Sequence, residues 1–256
     1  YITISILLLL LILVLSYSQI IDHYPNGGGA YAVAKENLGK IASLVVASAL
    51  IVDYIMTVAV SISSSTAALS SAFPALQDYK VVVSLVCVIF ITLINLRGIR
   101  EASNIFGLPT YIFIFSMLSL IIVGCFKLFT GTLQAVSYST PVIPAETVKG
   151  IGMILLLRAF SSGCSAMTGI EAVSNSIPSF ENPAQKNAKL ILYMLGGIII
   201  FIFGGTSILA INLHVAPSDG HTVLSQMASA VFGHGFMYYI IQIFTSIILI
   251  LAANTA

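Results

Sequence analysis

The sequence predicts an all-α polytopic membrane protein. Three observations carry this. Of 256 residues, 58% are apolar and 7% charged, against roughly 45–50% and 25% in soluble domains. Mean hydropathy is +1.06. Long apolar stretches recur at about 1–21, 41–73, 81–96, 105–129, 148–178, 189–213 and 236–256, seven candidates for a crossing that needs about 20 residues. Ten basic and nine acidic residues cannot coat a water-facing surface. A soluble enzyme, a nucleic-acid binder and a disordered chain are thereby excluded. The spans are expected to be helices, because lipid offers no partner to an open strand edge, and the alternation of a lipid-facing barrel strand is absent.

The first stretch begins at Tyr1 with no charged leader and no cleavage site. With the apolar end at Ala256, this reads as an internal piece of a larger polytopic protein. Pro25-Asn26-Gly27-Gly28-Gly29 should break the chain after the first span, and residues 30–39 can form a short interfacial helix ending at Gly39. The second span is too long to lie straight and should tilt or project; the third is short. Pro109, near Tyr111, marks a bend in the fourth. Asn182-Pro183 should open the sixth span, with Asn as N-cap and Pro at the first helical position. Residues 222–233 are weakly amphipathic and suit a short helix on the outer surface. No soluble domain fits anywhere.

The loops assign sidedness. Lys35, Lys40, Arg97, Arg100, Lys186 and Lys189 fall on one side, and Lys80, Lys127 and Lys149 on the other. The richer side is assigned to the cytoplasm. His214, His221 and His234 are expected to be solvated loop residues. Cys87, Cys125 and Cys164 lie dispersed in apolar stretches, which fits small core residues rather than a disulfide framework or a metal site.

Asp53, Arg158 and Glu171 are the ionisable residues within spans, where such groups are costly and usually face a cavity or a partner. At about 100° per residue, Thr57, Ser64 and Ser61 fall at about 40°, 20° and 80° from Asp53. That is one oxygen-bearing stripe, bordered by Tyr54. A carboxylate with hydroxyl neighbours suits a hard monovalent cation or a proton-carrying site. Alternatively, Asp53 only hydrogen-bonds a neighbouring helix while the small residues allow close packing.

The fifth span weakens in its middle, at Ser161, Ser162, Gly163, Ser165 and Gly169. This resembles a discontinuous helix, which exposes backbone groups at a transporter's substrate site. Glu171 would then sit in the first turn of the second half-helix. The helix dipole favours an anion there and desolvation opposes it, a balance suited to a proton carrier. The other reading is a continuous helix with tightly packed small residues. Arg158 either caps the carbonyls ending the first half-helix or pairs with Asp53 or Glu171.

These residues support a resemblance. Tyr24-Pro25-Asn26-Gly27-Gly28-Gly29-Ala30-Tyr31 resembles the loop between spans two and three of amino acid–polyamine–organocation (APC) transporters. The stretch from Arg158 to Lys189, with Gly169-Ile170-Glu171-Ala172 and Glu181-Asn182-Pro183, resembles their sixth span and the loop after it. The resemblance implies a LeuT-like (APC) inverted-repeat fold. The chain would be one partial transporter domain over 1–256, equivalent to spans two to eight, without span one and the spans after eight. Asp53-Tyr54 with Thr57, and Thr168 with Glu171, make it most similar to the bacterial Kup-like potassium importers. That implies cation binding by Asp53, Tyr54, Thr57, Thr168 and Glu171, with potassium at Asp53, Thr57 and Thr168. It also implies proton coupling at Asp53 or Glu171.

The expected function is secondary active, proton-coupled potassium uptake by alternating access, with no cofactor beyond the transported potassium ion and the coupled proton. The alternative is an amino acid or polyamine permease on the same scaffold. From another class, a seven-helix receptor is disfavoured by the central acids. An intramembrane enzyme lacks a paired-acid motif, a metal-ligand cluster and a Ser–His pair within the spans. The expected partners are the lipid bilayer, a small cation or amino-acid substrate and a second copy of the chain, but not nucleic acid. The expected location is the plasma membrane.

Overall fold

The computed structural model describes residues 2–25, 27, 29–96, 103–133, 153–164, 169–216, 218 and 220–255. Ten α-helices form among them: α1 (Ile2–His23), α2 (Ala30–Asn37), α3 (Lys40–Ala72), α4 (Lys80–Leu96), α5 (Ser103–Phe129), α6 (Met153–Cys164), α7 (Ile170–Asn175), α8 (Ala184–Leu213), α9 (Val223–Phe232) and α10 (Phe236–Thr255). Extended pairing among the described residues is confined to an isolated bridge between Ser218 and His221.

Six segments are long and apolar enough to cross a membrane: Ile2–His23, Lys40–Ala72, Pro74–Leu93, Gly107–Phe129, Ala184–Leu213 and Phe236–Thr255. The seventh expected span, 148–178, is not one of them. Its described part is divided between the 12 residues of α6 and the six of α7. The 33 residues of α3 extend about 50 Å at 1.5 Å per residue, against a hydrocarbon core of about 30 Å. That is the length expected to tilt or project. A 3-10 turn over Pro74–Tyr79 precedes α4 and lengthens an otherwise short span.

The chain divides into two compact units. The first comprises Tyr1–Asp53 and Ile143–Gly204, and the second Tyr54–Val142 and Gly205–Ala256.

The first unit is built on an apolar stripe of α1. Ile6, Leu10, Val14 and Ile21 are buried with Ile170, Ile177, Ala188 and Leu192. The four-residue spacing puts the first three side chains on one helix face. Helix α8 approaches closely because Gly196 faces Val14; a Cβ there would lie 2.7 Å from Val14 Cγ2. Polar pins join the same two helices. Ser18 Oγ and Tyr193 Oη are 2.5 Å apart. Gln185 Nε2 donates to the carbonyls of Ile21 and Asp22 at 3.0 and 3.3 Å, filling acceptors left open where α1 ends. Lys189 pairs with Asp22 at 2.5 Å.

Two expected details of this unit change. Asn182 is not the N-cap, because α8 begins at Ala184 and the Asn182-Pro183 bond is cis. Asn187 instead anchors the segment, its backbone amide donating to Pro183 O at 3.1 Å and its side chain to Glu181 O at 2.9 Å. Ser161, Ser162 and Gly163 do not interrupt the helix; they form the last turn of α6.

The second unit centres on α10, which packs against α4, α5 and α9. Gly205 admits Ile121 and Gly124 admits Leu209. Helix α9 forms where a short helix was expected, capped by Thr222, whose Oγ1 accepts from Ser225 N at 3.1 Å. It is not a surface helix. Ser225, Gln226, Met227, Ala228, Ser229 and Val231 are buried, so its apolar face is core. Lys127 Nζ donates to Val231 O at 2.6 Å, satisfying an open carbonyl at the end of α9. His234 is exposed in the loop between α9 and α10, as expected, with its ring edge-on to Tyr238 at 4.9 Å.

Candidate substrate site

Asp53, Tyr54 and Thr57 lie near the middle of α3. Asp53 ends the first unit's share of that helix, and Tyr54 and Thr57 open the second unit's. Asp53 is exposed and Thr57 half-buried. Among the described residues Asp53 forms no ion pair and no hydrogen bond. Along the expected stripe Ser64, like Thr57, is half-buried. Ser61 is buried at 8% exposure and Ser65, which was not among the candidates, at 1%.

Glu171 stands in the first turn of α7, directly after Gly169, whose φ of +98° places it in the left-handed region. That conformation is open to glycine and costly for other residues, so the polypeptide is not α-helical throughout 153–175. Ser165 and Thr168 lie outside the described residues. Glu171 Oε1 accepts a hydrogen bond from the backbone amide of Ala30, 2.9 Å away, at the start of α2. The helix N-terminus that holds this carboxylate by a hydrogen bond is therefore that of α2, not that of its own six-residue helix.

The glycine-rich turn makes the contact geometrically possible. Gly29 lies against both Glu171 Oε1 and Asn175 Oδ1, and a Cβ there would be 2.6 Å from Glu171 Oε1. Gly27, with φ +85°, lies against Asn175 O and Pro178. Thus the two stretches that carried the family resemblance meet in space. Pairing of Arg158 with Asp53 or Glu171 does not occur: Arg158 is exposed, and Lys189–Asp22 is the ion pair formed among the described residues. Nor do those residues contain a cluster of three His, Cys, Asp or Glu side chains placed to hold a metal.

Asp53 and Glu171 thus belong to one unit, in different surroundings: among the described residues Asp53 has no bonding partner, and Glu171 bonds the start of α2. A third polar feature was not anticipated. Buried hydroxyls join α3 to α10 inside the second unit, with Ser65 Oγ 2.6 Å from Ser246 Oγ and 3.1 Å from Ser246 O. Tyr238 Oη donates to Ser71 O at 2.9 Å. A serine on an apolar span reads equally as packing or as bonding, so the sequence carries no signal that separates them.

Six helical segments apolar and long enough to cross a membrane define a multi-pass helical membrane protein. Comparison with known proteins makes this specific. The model of the amino acid permease family matches residues 1–256, and the chain belongs to that family. It is 50% identical over 254 residues to the potassium transporter KimA of Bacillus subtilis (strain 168), covering 99% of this chain and 42% of that protein. It is 25% identical over 199 residues to the low-affinity putrescine importer PlaP of Escherichia coli (strain K12), covering 74% of this chain and 41% of that protein. The chain thus spans about two fifths of the length of the curated relatives it matches.

Proposed function

We propose that the protein of which this chain is part imports potassium by alternating access, coupled to protons, and is a transporter rather than an enzyme. The similarity to a potassium transporter across 99% of the chain carries this reading. On it, the chain corresponds to spans two to eight of one transporter domain. Asp53, Tyr54, Thr57 and Thr168 supply oxygens to a dehydrated potassium ion, the cargo, and no resident cofactor is required.

Glu171 takes the coupling role. Its ionised carboxylate makes a charge-assisted bond to Ala30 N–H, and protonation would weaken that bond because a neutral acid is the poorer acceptor. Proton binding and the hold on the 24–39 loop are then linked, and a ligand or proton shifts a conformational equilibrium only through such differential interaction.

A second reading, uptake of a polyamine, is favoured by the similarity to a putrescine importer. An acid with no protein partner, such as Asp53, suits an ammonium group as well as a metal cation. Proteoliposomes containing the complete protein separate the two. Rubidium uptake driven by an imposed proton gradient, uncompeted by putrescine or amino acids, is expected. Uptake of putrescine or an amino acid without rubidium would replace the potassium reading.

A further inference from the structure

The α3–α10 seam inside the second unit contains polar atoms that its own bonds do not satisfy. Gln242 is fully buried, at 0% exposure. Among the described residues neither its Oε1 nor its Nε2 has a hydrogen-bond partner. The same holds for Thr245 Oγ1, and all three atoms are buried. Residues three apart on a helix are neighbours on its surface, so the two side chains leave α10 from adjoining positions. Buried polar side chains are normally hydrogen-bonded, and an orphaned primary amide is costly.

The flanking bonds fix where the group lies. Ser71 O is bonded by Tyr238 Oη, and Ser65 by Ser246. The two helices therefore run antiparallel, and Gln242 lies along α10 between the two bonded positions, with Ala68, buried at 3% exposure, between their partners on α3. Alanine offers no polar atom and occupies little space.

The chemistry of the three atoms selects the ligand. Oε1 and Oγ1 accept, while Nε2 and the threonine hydroxyl donate. A bare cation would satisfy the oxygens and be opposed by the amide N–H, and an anion would meet the reverse problem. A small neutral molecule that both donates and accepts satisfies all three. We infer that Gln242 and Thr245 bind water within the second unit, so that the seam is tied by direct bonds on either side of Gln242 and by water between them. Two to four polar partners are what a buried water requires.

The test uses the full-length transporter. A cryo-EM map that resolves waters elsewhere in the unit should show density within about 3 Å of Gln242 Oε1 and Nε2. Gln242→Leu should lower the thermal midpoint by about 2–4 °C, because the water loses partners. The double variant Gln242→Leu/Thr245→Val should lose less than the sum of its single variants, because no polar partner then remains for the water to lose. A raised midpoint in Gln242→Leu would mean that a dry, orphaned amide had been removed, and would overturn the inference. So would a map placing a protein group against Gln242.

Discussion

Replacing Glu171 by Gln isolates charge from shape. The amide keeps a carbonyl that can still accept from Ala30 N–H across the 2.9 Å separation, so α2 should still form. A hydrogen bond to a charged group contributes about 1.5–3 kcal/mol and a neutral one about 0.5–1.5 kcal/mol. The half-buried position of Glu171 favours the lower ends of both ranges, and the difference comes to about 1 kcal/mol. At 1.4 kcal/mol per factor of ten, the opening equilibrium at the start of α2 should shift roughly fivefold. Hydrogen exchange followed by mass spectrometry on peptides covering 29–37 reads that number. Rubidium uptake in proteoliposomes reads the function: in Glu171→Gln, uptake should persist down its own gradient and lose its response to an imposed proton gradient. If exchange is unchanged and proton-driven uptake survives intact, Glu171 neither holds the loop by charge nor couples the proton.

Asp53→Asn should leave thermal stability unchanged, since the acid has no protein partner to lose, and weaken apparent rubidium affinity roughly tenfold or more, as measured by concentration-dependent uptake. Gly29→Ala should displace Glu171 or Asn175, because its Cβ would come within 2.6 Å of Glu171 Oε1. Overpacking of this kind costs about 1–3 kcal/mol, to be read as faster exchange at the start of α2 together with a lower thermal midpoint. Ser65→Ala removes two buried contacts to Ser246 and should cost about 1–2 kcal/mol, seen as a midpoint lowered by a few degrees with substrate affinity unchanged.

The long elements were legible because their signal is a sum. Many consecutive apolar residues specify α1, α3, α5, α8 and α10 whatever their exact packing. Punctuation was legible where one residue acts alone, as at Gly39 after α2. It failed where two signals compete. Ser161, Ser162 and Gly163 have modest helix propensity, yet α6 continues through them, and Gly163 allows close contact with Ile6. Propensity was outweighed by packing. The burial of α9 was hidden because its small and polar residues, such as Ser225, Gln226 and Ser229, resemble a surface until their partners are known. Gln226 is satisfied by backbone, its Nε2 donating to Ala216 O at 2.7 Å, and no sequence pattern announces a bond to an irregular loop.

At Glu171 the sequence places the acid in the first turn of a short helix but does not reveal what bonds it. The dipole of the half-helix that carries it is a natural source of stabilisation for an intramembrane anion. That helix has only six residues, so its aligned peptide dipoles are few. The hydrogen bond comes instead from Ala30, more than a hundred residues away along the chain, at the start of the eight-residue α2. A charge held by its own helix would report only on that helix. A carboxylate bonded by a separate loop helix links two segments distant along the chain, which is the arrangement the proposed coupling uses. Gly29 fits the same logic, because a side chain there would meet the carboxylate before the amide of Ala30 could reach it. On the proposed coupling role of Glu171, altering either the glycine-rich turn or the acid should change the loop and the proton response together.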